Sequence, residues 1–199
     1  MQENQLDNFI KLLSKLPSFG PRSARRIALH LIKNKEKIMI PLIESMSLVN
    51  QEIKNCQNCG NLDISEICKI CQDQKRQDNI ICVIEDVSDL WAIEKANIFN
   101  GKYHVLGGTL SAMSGVSPND LNINSLIAKL QENKNIKEII IATNPTMDGQ
   151  TTAYYLLELL KEFNLKISKL AHGIPIGGEL DYLDEGTLDI ALKTRSEFN

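Results

Sequence analysis

The residues of this chain with the most definite chemistry are four cysteines arranged as two close pairs. Cys56 and Cys59 form one pair, Cys68 and Cys71 form the other, and eight residues separate the pairs. Two residues between paired thiolates let both reach one ion from a tight turn, and two such turns complete a tetrahedral site. Four protein ligands leave no open coordination position, so the pattern predicts one structural Zn²⁺ per chain rather than a catalytic metal. In so short a segment the metal would supply much of the folding free energy.

The arrangement of the cysteines disfavours other uses. Unpaired structural thiols or a redox dithiol would not require two symmetric pairs, whereas a metal site does. The first residues lack a basic region followed by a long apolar run, so we expect no secretory signal. In a reducing compartment, spaced pairs are metal ligands more often than they are disulfides. The fifth cysteine, Cys82, lies in an apolar run and is predicted to be a small buried side chain.

A second group of chemically capable residues consists of carboxylates that follow apolar, β-rich runs. Glu85 ends one run and Asp86 and Asp89 follow it, while Asp148 lies in the loop after a later run. Open parallel α/β sheets place their sites at the carboxyl ends of strands, so such acids could meet there. Two-metal phosphoryl transfer needs several converging carboxylates, and the second loop offers one. The favoured alternative is that Asp86 and Asp89 cap the next helix.

The glycines at 173–178 have the spacing of a phosphate-binding loop without its other residues. Glu179 stands where a phosphate-binding lysine is needed, and Leu180 replaces the serine or threonine. A glutamate at that position would repel phosphate. We therefore interpret residues 173–180 as a Gly/Pro structural or interface loop.

Three arginines follow a tight turn near the beginning of the chain. Gly20 and Pro21 mark the turn and the start of a helix, and Arg22, Arg25 and Arg26 lie opposite its apolar side. Such a turn can present backbone N–H groups to a phosphate, with Arg22 and Arg26 on either side. Contacts of this kind bind the DNA backbone without sequence information. The alternative is an ordinary helical hairpin with solvated arginines, and the pattern alone leaves both open.

The elements that must position these residues change character along the chain. Helical periodicity covers 5–16, 21–33 and 40–54, whereas 55–78 has little regular pattern. From residue 79 onwards strands alternate with helices, which predicts a parallel α/β sheet. The predicted strands are 79–85, 103–106, 138–143 and 166–171, and the predicted helices are 88–98, 122–133, 151–163 and 185–195.

Composition and charge limit the classes of function. The 199 residues are 43% apolar and 24% charged, which is typical of a globular chain. No run approaches the roughly 20 apolar residues of a membrane span, so no membrane partner is expected. Residues 1–40 carry a net charge of +5 and the remainder carries −8, within a total of −3. A basic head on an acidic body favours a polyanion surface at the head, with a solvated lysine-rich surface as the alternative.

Taken together, these features resemble the bacterial RecR family of recombination mediators. Three segments carry the resemblance in combination, and they read YHVLGG, ATNPT-x-x-G-x-TTA and G-x-P-x-GGEL-x-Y-x-D. The resemblance covers essentially the whole chain. It implies an α/β protein with four parts, namely a helix-hairpin-helix domain over 1–54, a four-cysteine zinc finger over 55–78, a Toprim domain with a Rossmann-like parallel sheet over 79–173, and a C-terminal helical segment over 174–199 that is a candidate oligomer interface.

The resemblance also implies a function. RecR proteins act in recombinational DNA repair with RecO and RecF at single-stranded gaps, where they help RecA to displace single-strand-binding protein. They assemble into ring-like homo-oligomers, commonly tetramers, that can encircle DNA. We therefore expect a non-enzymatic mediator in the bacterial cytoplasm, associated with the nucleoid. The expected Zn²⁺ ligands are Cys56, Cys59, Cys68 and Cys71, and the expected DNA-binding residues are Gly20, Arg22, Arg25 and Arg26.

The acidic positions depart from those of the catalytic Toprim enzymes. Glu85 matches the Toprim glutamate, but Asn144 and Thr146 stand at the two positions of an Asp-x-Asp pair. Both changes remove a negative charge, which implies that nuclease, primase and topoisomerase chemistry is lost. Asp148 and Gln150 stand where many RecR sequences have the two glutamates of Glu-Gly-Glu. We expect Glu85 and Asp148 to be non-catalytic acids available for contact with a partner.

The hairpin departs from the family as well, since Ser18-Phe19-Gly20 stands where members often have Gly-hydrophobic-Gly. Any left-handed backbone at Ser18 would be strained. Two other functions stay open at this point. One is a Mg²⁺-dependent Toprim nuclease that uses Glu85, Asp86, Asp89 and Asp148, and the other is a protein-interaction adaptor that does not bind DNA.

Overall fold

The computed structural model describes residues 4–171, 173–175 and 177–195. The chain divides into two units, Met1–Ile53 and Lys54–Asn199. Part of the predicted C-terminal segment, Ile176 and residues 196–199, lies outside the described residues. None of the helices within the described ranges is long and apolar enough to cross a membrane.

The first unit is helical, as the periodicity predicts. Its helices are α1 (Gln5–Leu13), α2 (Pro21–Lys33) and α3 (Ile40–Glu52), and a π-helix over Lys35–Met39 leads into α3. One side of α2 is buried, with Ala24, Ala28 and Leu31 almost inaccessible to solvent. Small alanines at the contact allow two helices to approach closely, and α1 packs against α2.

The first helix is shorter than predicted. The sequence predicts a helix to residue 16, but α1 ends at Leu13. The Ser14 hydroxyl donates to the Lys11 carbonyl at 2.8 Å, and Lys15 N–H donates to Leu12 at 3.1 Å. These bonds tighten the last turn and satisfy terminal carbonyls that a longer helix would have used.

The second unit contains a small two-stranded ribbon and a larger parallel sheet. The ribbon pairs β1 (Lys54–Asn55) with β2 (Leu62–Asp63), and a single helical turn, α4 (Lys69–Gln72), follows. In the described residues the larger sheet has the strand order β4-β3-β5-β6, all parallel, so the predicted α/β class is confirmed. The strands are β3 (Ile80–Ile84), β4 (Lys102–Val105), β5 (Glu138–Ile141) and β6 (Lys166–Lys169), and the helices are α5 (Val87–Ala96), α6 (Ile123–Glu132), α7 (Met147–Leu160) and α8 (Glu185–Lys193).

The core lies on both faces of this sheet. Along β3, Ile81 and Val83 belong to the cluster that includes α6 and α7, while Cys82 and Ile84 belong to the cluster that includes α5. Successive strand residues point to opposite faces, so a strand covered on both sides must be apolar throughout. The apolar run that predicts this strand is therefore explained by helices on both faces.

The start of α7 differs from the prediction, and the difference moves one of the candidate acids. The sequence predicts a helix from residue 151, but α7 begins at Met147. The hydroxyl of Thr146 accepts from the Gly149 N–H at 3.0 Å and caps the helix. Asp148 therefore lies in the first turn of a helix rather than in a loop.

Candidate functional site

The four paired cysteines come together in the second unit. Their sulfur atoms all lie within 4.8 Å of one another, with Cys59 Sγ 3.5 Å from Cys68 Sγ and Cys56 Sγ 3.9 Å from Cys71 Sγ. Four sulfurs at about 2.3 Å from one ion lie about 3.8 Å apart, so the quartet has the dimensions of a tetrahedral site. Three of the four side chains are buried and Cys71 is partly buried. The cluster can therefore hold one metal ion.

A glycine allows the first cysteine turn to lie directly on the sheet. Gly60 has φ +80°, a conformation that side chains disfavour, and a Cβ there would lie 3.2 Å from the Val105 side chain and carbonyl. Next to it, the Val105 N–H donates to the Cys59 carbonyl at 2.8 Å. The backbone therefore turns sharply directly after the second cysteine, and the turn is joined to β4 by a backbone hydrogen bond.

Backbone N–H groups point at two of the sulfurs. Cys68 N–H donates to Cys56 Sγ at 3.2 Å, and Asn61 N–H donates to Cys59 Sγ at 3.5 Å. Such bonds stabilise the charged thiolate, which is the form that binds a metal.

A lysine from β4 closes the end of α4. Lys102 Nζ donates to the carbonyls of Ile70 at 2.9 Å, Cys71 at 3.1 Å and Asp73 at 2.8 Å. These carbonyls end a short helix that contains the last cysteine, and a cation at a helix C-terminus is favourable. The second cysteine pair is therefore positioned by a residue that lies 31 positions away in the sequence.

An ion pair joins the end of the cysteine segment to α5 and β4. Arg76 contacts both carboxylate oxygens of Glu94, at 2.9 and 2.5 Å, and the Tyr103 hydroxyl donates to Glu94 at 2.6 Å. The Glu94 carboxylate raises the pKa of Arg76, while burial and then the bond to Glu94 raise the pKa of Tyr103. Sequence reasoning missed this network because its members carry no spacing signal.

A second lysine of the α/β body reaches the first cysteine turn. Lys129 of α6 is partly buried, and its Nζ donates to the Asn58 carbonyl at 2.5 Å. Burial lowers the pKa of Lys129, and the thiolates of Cys71, Cys59 and Cys56 act in the opposite direction.

At the carboxyl end of β3, Glu85 is held by an amide. The Asn144 backbone N–H donates to Glu85 Oε1 and the Asn144 side chain donates to Oε2, both at 2.7 Å. Gly149 lies against this pair, since a Cβ there would be 2.2 Å from the Asn144 carbonyl and 2.6 Å from Glu85 Oε1. The carboxylate that matches the Toprim glutamate is here engaged by hydrogen-bond donors of the chain itself.

The other candidate acids have separate positions. Asp86 and Asp89 form a capping box at the start of α5, with the Asp86 N–H donating to Asp89 Oδ2 at 3.0 Å. Asp148 is exposed in the first turn of α7. Within the described ranges, the four cysteines bring their potential metal ligands within 4.8 Å of one another, and the candidate acids do not form such a group of three or more. The structure therefore assigns Asp86 and Asp89 the capping role that the sequence favours.

The arginines of the hairpin lie on an open helix start. Arg22, Arg25 and Arg26 are exposed, opposite the buried Ala24 and Ala28. Gly20 precedes α2 at its N-cap and supplies no side-chain cap. The first-turn N–H groups of α2 are therefore not capped by its N-cap side chain, and they lie beside three positive charges.

The turn before α2 is strained at the position where the sequence departs from the family. Ser18 has φ +66°, the left-handed region, and so the strain anticipated for a left-handed backbone there is present. A non-glycine residue in this conformation costs about 1–2 kcal/mol. Gly20 itself has an ordinary extended backbone, with φ −80° and ψ 169°.

A buried histidine follows the pattern of a structural residue. His104 is almost inaccessible, and its Nε2 donates to the Asn122 carbonyl at 2.9 Å. Its Nδ1 has no hydrogen-bond partner among the described residues. Burial, with a smaller effect from Lys129, lowers the pKa of His104 to about 4, so the ring is neutral near pH 7.

Comparison with known proteins identifies the family. A family model described as Toprim domain matches residues 79–171, one described as RecR helix-hairpin-helix matches 6–48, and one described as RecR C-terminal matches 173–196. The chain is 51% identical over 194 residues to a recombination protein RecR of Bradyrhizobium sp., covering 98% of this chain and 97% of that protein.

Two further relatives agree with this assignment. The chain is 53% identical over 194 residues to the recombination protein RecR of Mesorhizobium japonicum, covering 98% of this chain and 96% of that protein. It is 53% identical over 192 residues to that of Rhizobium leguminosarum bv. trifolii, covering 96% and 95%. The fold and the site define a helix-hairpin-helix and Toprim protein with a four-cysteine cluster. The chain belongs to the RecR family of recombination proteins, and the resemblance seen in the sequence is confirmed.

Proposed function

We propose that this protein is a non-enzymatic DNA-binding mediator of recombinational repair, which acts with RecO and RecF at single-stranded gaps to promote RecA loading. The observation that carries the proposal is the arginine face at the uncapped start of α2. Membership of the RecR family and the match to its helix-hairpin-helix model support DNA as the ligand. The protein would act in the bacterial cytoplasm, associated with the nucleoid.

The DNA interface would consist of Gly20, Arg22, Arg25 and Arg26. Exposed guanidinium groups and free backbone N–H groups at a helix start are suited to phosphate oxygens. Such contacts read the backbone and not the bases, which fits a protein recruited to gaps and junctions of any sequence. Aromatic residues make up 5% of the chain, with one tryptophan, so base stacking on aromatic side chains is not expected to contribute to binding.

The metal would be Zn²⁺, bound by Cys56, Cys59, Cys68 and Cys71. All four donors are thiolates, their spacing suits a tetrahedral ion, and two accept backbone N–H bonds. Bound Zn²⁺ would join the two cysteine turns and leave no open position for catalysis. It would define residues 55–78 as a zinc finger between a helix-hairpin-helix domain over 1–54 and a Toprim domain over 79–173.

The Toprim edge would be a contact surface and not a catalytic centre. Asn144 already donates to both oxygens of Glu85, so each oxygen has a hydrogen-bond partner from the chain itself without a divalent cation. Asp148 is exposed in the first turn of α7 and is available to a basic surface of a partner. This arrangement favours a mediator over the Mg²⁺-dependent nuclease alternative.

The functional form would be a homo-oligomeric ring, most simply a tetramer. Helix α3 buries none of its residues, and the exposed side chains of Ile43, Met46 and Val49 leave an apolar surface in the first unit. In the C-terminal segment over 174–199, Leu180 and Tyr182 are exposed as well. Closed tetramers can be built from two self-complementary interfaces, and a ring multiplies weak DNA contacts by avidity.

The central test replaces the two arginines at the helix start. Arg22→Ala with Arg26→Ala should weaken binding to labelled gapped DNA at least about tenfold and lower the slope of log K against log salt by about 2 per bound chain. Fluorescence anisotropy at several salt concentrations measures both, and the melting temperature should stay unchanged because both side chains are exposed. The matched control is Lys134→Ala with Lys137→Ala, which removes the same charge from exposed positions of the other unit.

Retained affinity in the arginine variant would refute the hairpin as the DNA site. Salt-independent or absent DNA binding by the wild type would favour the adaptor without DNA binding. The same DNA incubated with Mg²⁺ tests the nuclease alternative. Intact DNA supports the mediator, whereas cleavage that Glu85→Ala abolishes would overturn it.

A further inference from the structure

The proposed metal centre would place a net negative charge inside the second unit. Four thiolates and one Zn²⁺ carry a net charge of −2, and three of the four cysteine side chains are buried. A buried charge is costly unless it is paired or hydrogen-bonded. The N–H bonds from Cys68 and Asn61 to sulfur provide dipoles, but they bring no positive charge.

Lys129 brings a positive charge to this centre from α6. Its Nζ lies 2.5 Å from the Asn58 carbonyl, and Asn58 lies between the first two cysteines. The side chain leaves a helix that is anchored in the core, since Leu126 and Leu130 of the same helix are buried. Among the described residues no carboxylate forms an ion pair with it.

The other lysine near the centre has a different role. Lys102 distributes its three donors over the carbonyls of Ile70, Cys71 and Asp73, and so it caps the end of α4. Lys129 contacts one carbonyl, in the turn between the first pair of ligands. The two lysines approach the cysteine segment at its two turns, and Lys129 is the one placed beside the first pair.

We infer that Lys129 is a positioning residue for the metal centre, which offsets the negative charge of the four thiolates and fastens the first cysteine turn to α6. The inference rests on the proposed Zn²⁺ occupancy. It assigns to the Toprim domain a part of the metal affinity that the four ligands alone would not supply. Residues that support ligands in this way typically change metal affinity about 10–100-fold when they are replaced.

The test measures zinc release from the full-length protein. Metal content is first determined by mass spectrometry, and release into excess chelator is then followed with a zinc indicator. Lys129→Met should release zinc about tenfold faster than the wild type. Lys129→Gln, which keeps an N–H donor one bond closer to the backbone but is uncharged, should release zinc as fast as Lys129→Met. Lys129→Arg, which keeps the charge, should stay near the wild-type rate.

Lys134→Met is the matched control, because Lys134 is exposed beyond the end of α6 and the substitution removes the same charge. It should release zinc at the wild-type rate. If Lys129→Met releases zinc at the wild-type rate, the inference is refuted. If Lys129→Gln releases zinc at the wild-type rate, charge compensation is refuted and a hydrogen bond alone explains the role of Lys129. If Lys129→Met does not fold, Co²⁺ affinity of the Gln and Arg variants gives the same comparison. A wild-type protein without bound metal would refute the zinc proposal, and the metal content reveals that separately.

Discussion

Glu85 and Asn144 attract each other through hydrogen bonds, and replacing the Asn144 amide nitrogen by an oxygen would turn that attraction into repulsion. Both oxygens of the Glu85 carboxylate accept from Asn144, at 2.7 Å, and the Gly149 backbone leaves no free space beside them. An aspartate at 144 would keep the size of the side chain but place two carboxylates together. The resemblance to the catalytic Toprim enzymes places an aspartate at this position, and two adjacent carboxylates form a site that a divalent cation can occupy.

Asn144→Asp should therefore make the stability of the protein depend on divalent cations. Loss of the amide donor and the new repulsion should lower the free energy of unfolding by about 1–3 kcal/mol without added metal. Mg²⁺ or Mn²⁺ should restore much of that loss, and the wild type should not respond. Thermal melts with and without each cation measure the effect.

The control for this substitution is Asn124→Asp, which makes the same chemical change at an exposed position of α6. Its melting temperature should be insensitive to Mg²⁺. An Asn144→Asp protein as stable as the wild type in chelator would contradict the role given to the amide.

The sequence pattern predicts one of the side-chain clusters of the site but not the contacts of another. The spacing of Cys56, Cys59, Cys68 and Cys71 predicts a metal cluster, and the structure brings all four sulfurs together. The sequence also identifies Glu85, but not its partner, because Asn144 is 59 positions away and meets it only through the pairing of β3 with β5. The sequence does not predict the Arg76–Glu94–Tyr103 network either, because its members meet only in the folded chain.

Among the elements, the cysteine segment has little core of its own, and its stability depends on its contacts with neighbouring elements. It has a two-stranded ribbon, one helical turn and a small cluster formed mainly by the cysteines themselves. Its attachments to the sheet and the surrounding helices include the Val105–Cys59 backbone bond, the Lys102 cap, the Lys129–Asn58 bond and the Arg76–Glu94 ion pair. Disruption of the segment should therefore spread to β4 and α5.

Metal removal should lower the melting temperature on the order of 10 °C, since each kcal/mol shifts the melting temperature of a protein this size by about 2–4 °C. Calorimetry with and without a strong chelator measures the shift, and added Zn²⁺ should reverse it. Cys56→Ser should melt at the lower temperature with or without chelator. Cys82→Ala is the matched control, because Cys82 is buried but not in the cluster, so its melting should stay sensitive to chelator. A metal-free protein that melts like the loaded one would refute a structural metal.

The sequence predicts the types of the elements better than it predicts their boundaries. The periodicity gives the limits of α2, but α1 ends at Leu13 instead of 16 and α7 begins at Met147 instead of 151. In both cases a hydroxyl decides the boundary, from Ser14 in one helix and from Thr146 in the other. Hydrophobic periodicity does not register such caps, because they are polar and local.

For the whole molecule, the exposed apolar surface of α3 is the feature that bears on assembly. Leu42, Ile43, Met46 and Val49 are each more than two-fifths exposed on one helix. A contiguous group of exposed apolar side chains is typical of a surface that binds another protein. The homo-oligomer proposed above would bury it.

Ile43→Asp with Met46→Asp should reduce the oligomer to smaller species without unfolding the chain, because both side chains are exposed. Mass photometry of the wild type should give a mass near four chains, and the variant a mass near one or two. Affinity for DNA should fall with the mass, since fewer hairpins would act together. The control is Met113→Asp, at a fully exposed position in the second unit. An unchanged mass in the double variant would exclude α3 from the interface.

The two edges of the parallel sheet are protected in different ways, and this has a consequence for biosynthesis. Among the described strands β4 and β6 are outermost, and an open edge is a template for aggregation. Lys166 and Lys169 on β6 are exposed charges that oppose such pairing. The edge of β4 is instead joined by the Cys59 turn, whose carbonyl accepts a hydrogen bond from the Val105 N–H. Because the cysteine segment precedes β4 in the chain, the ribosome releases it before that strand, and early metal loading would let its turn accept the Val105 N–H as soon as the end of β4 emerges.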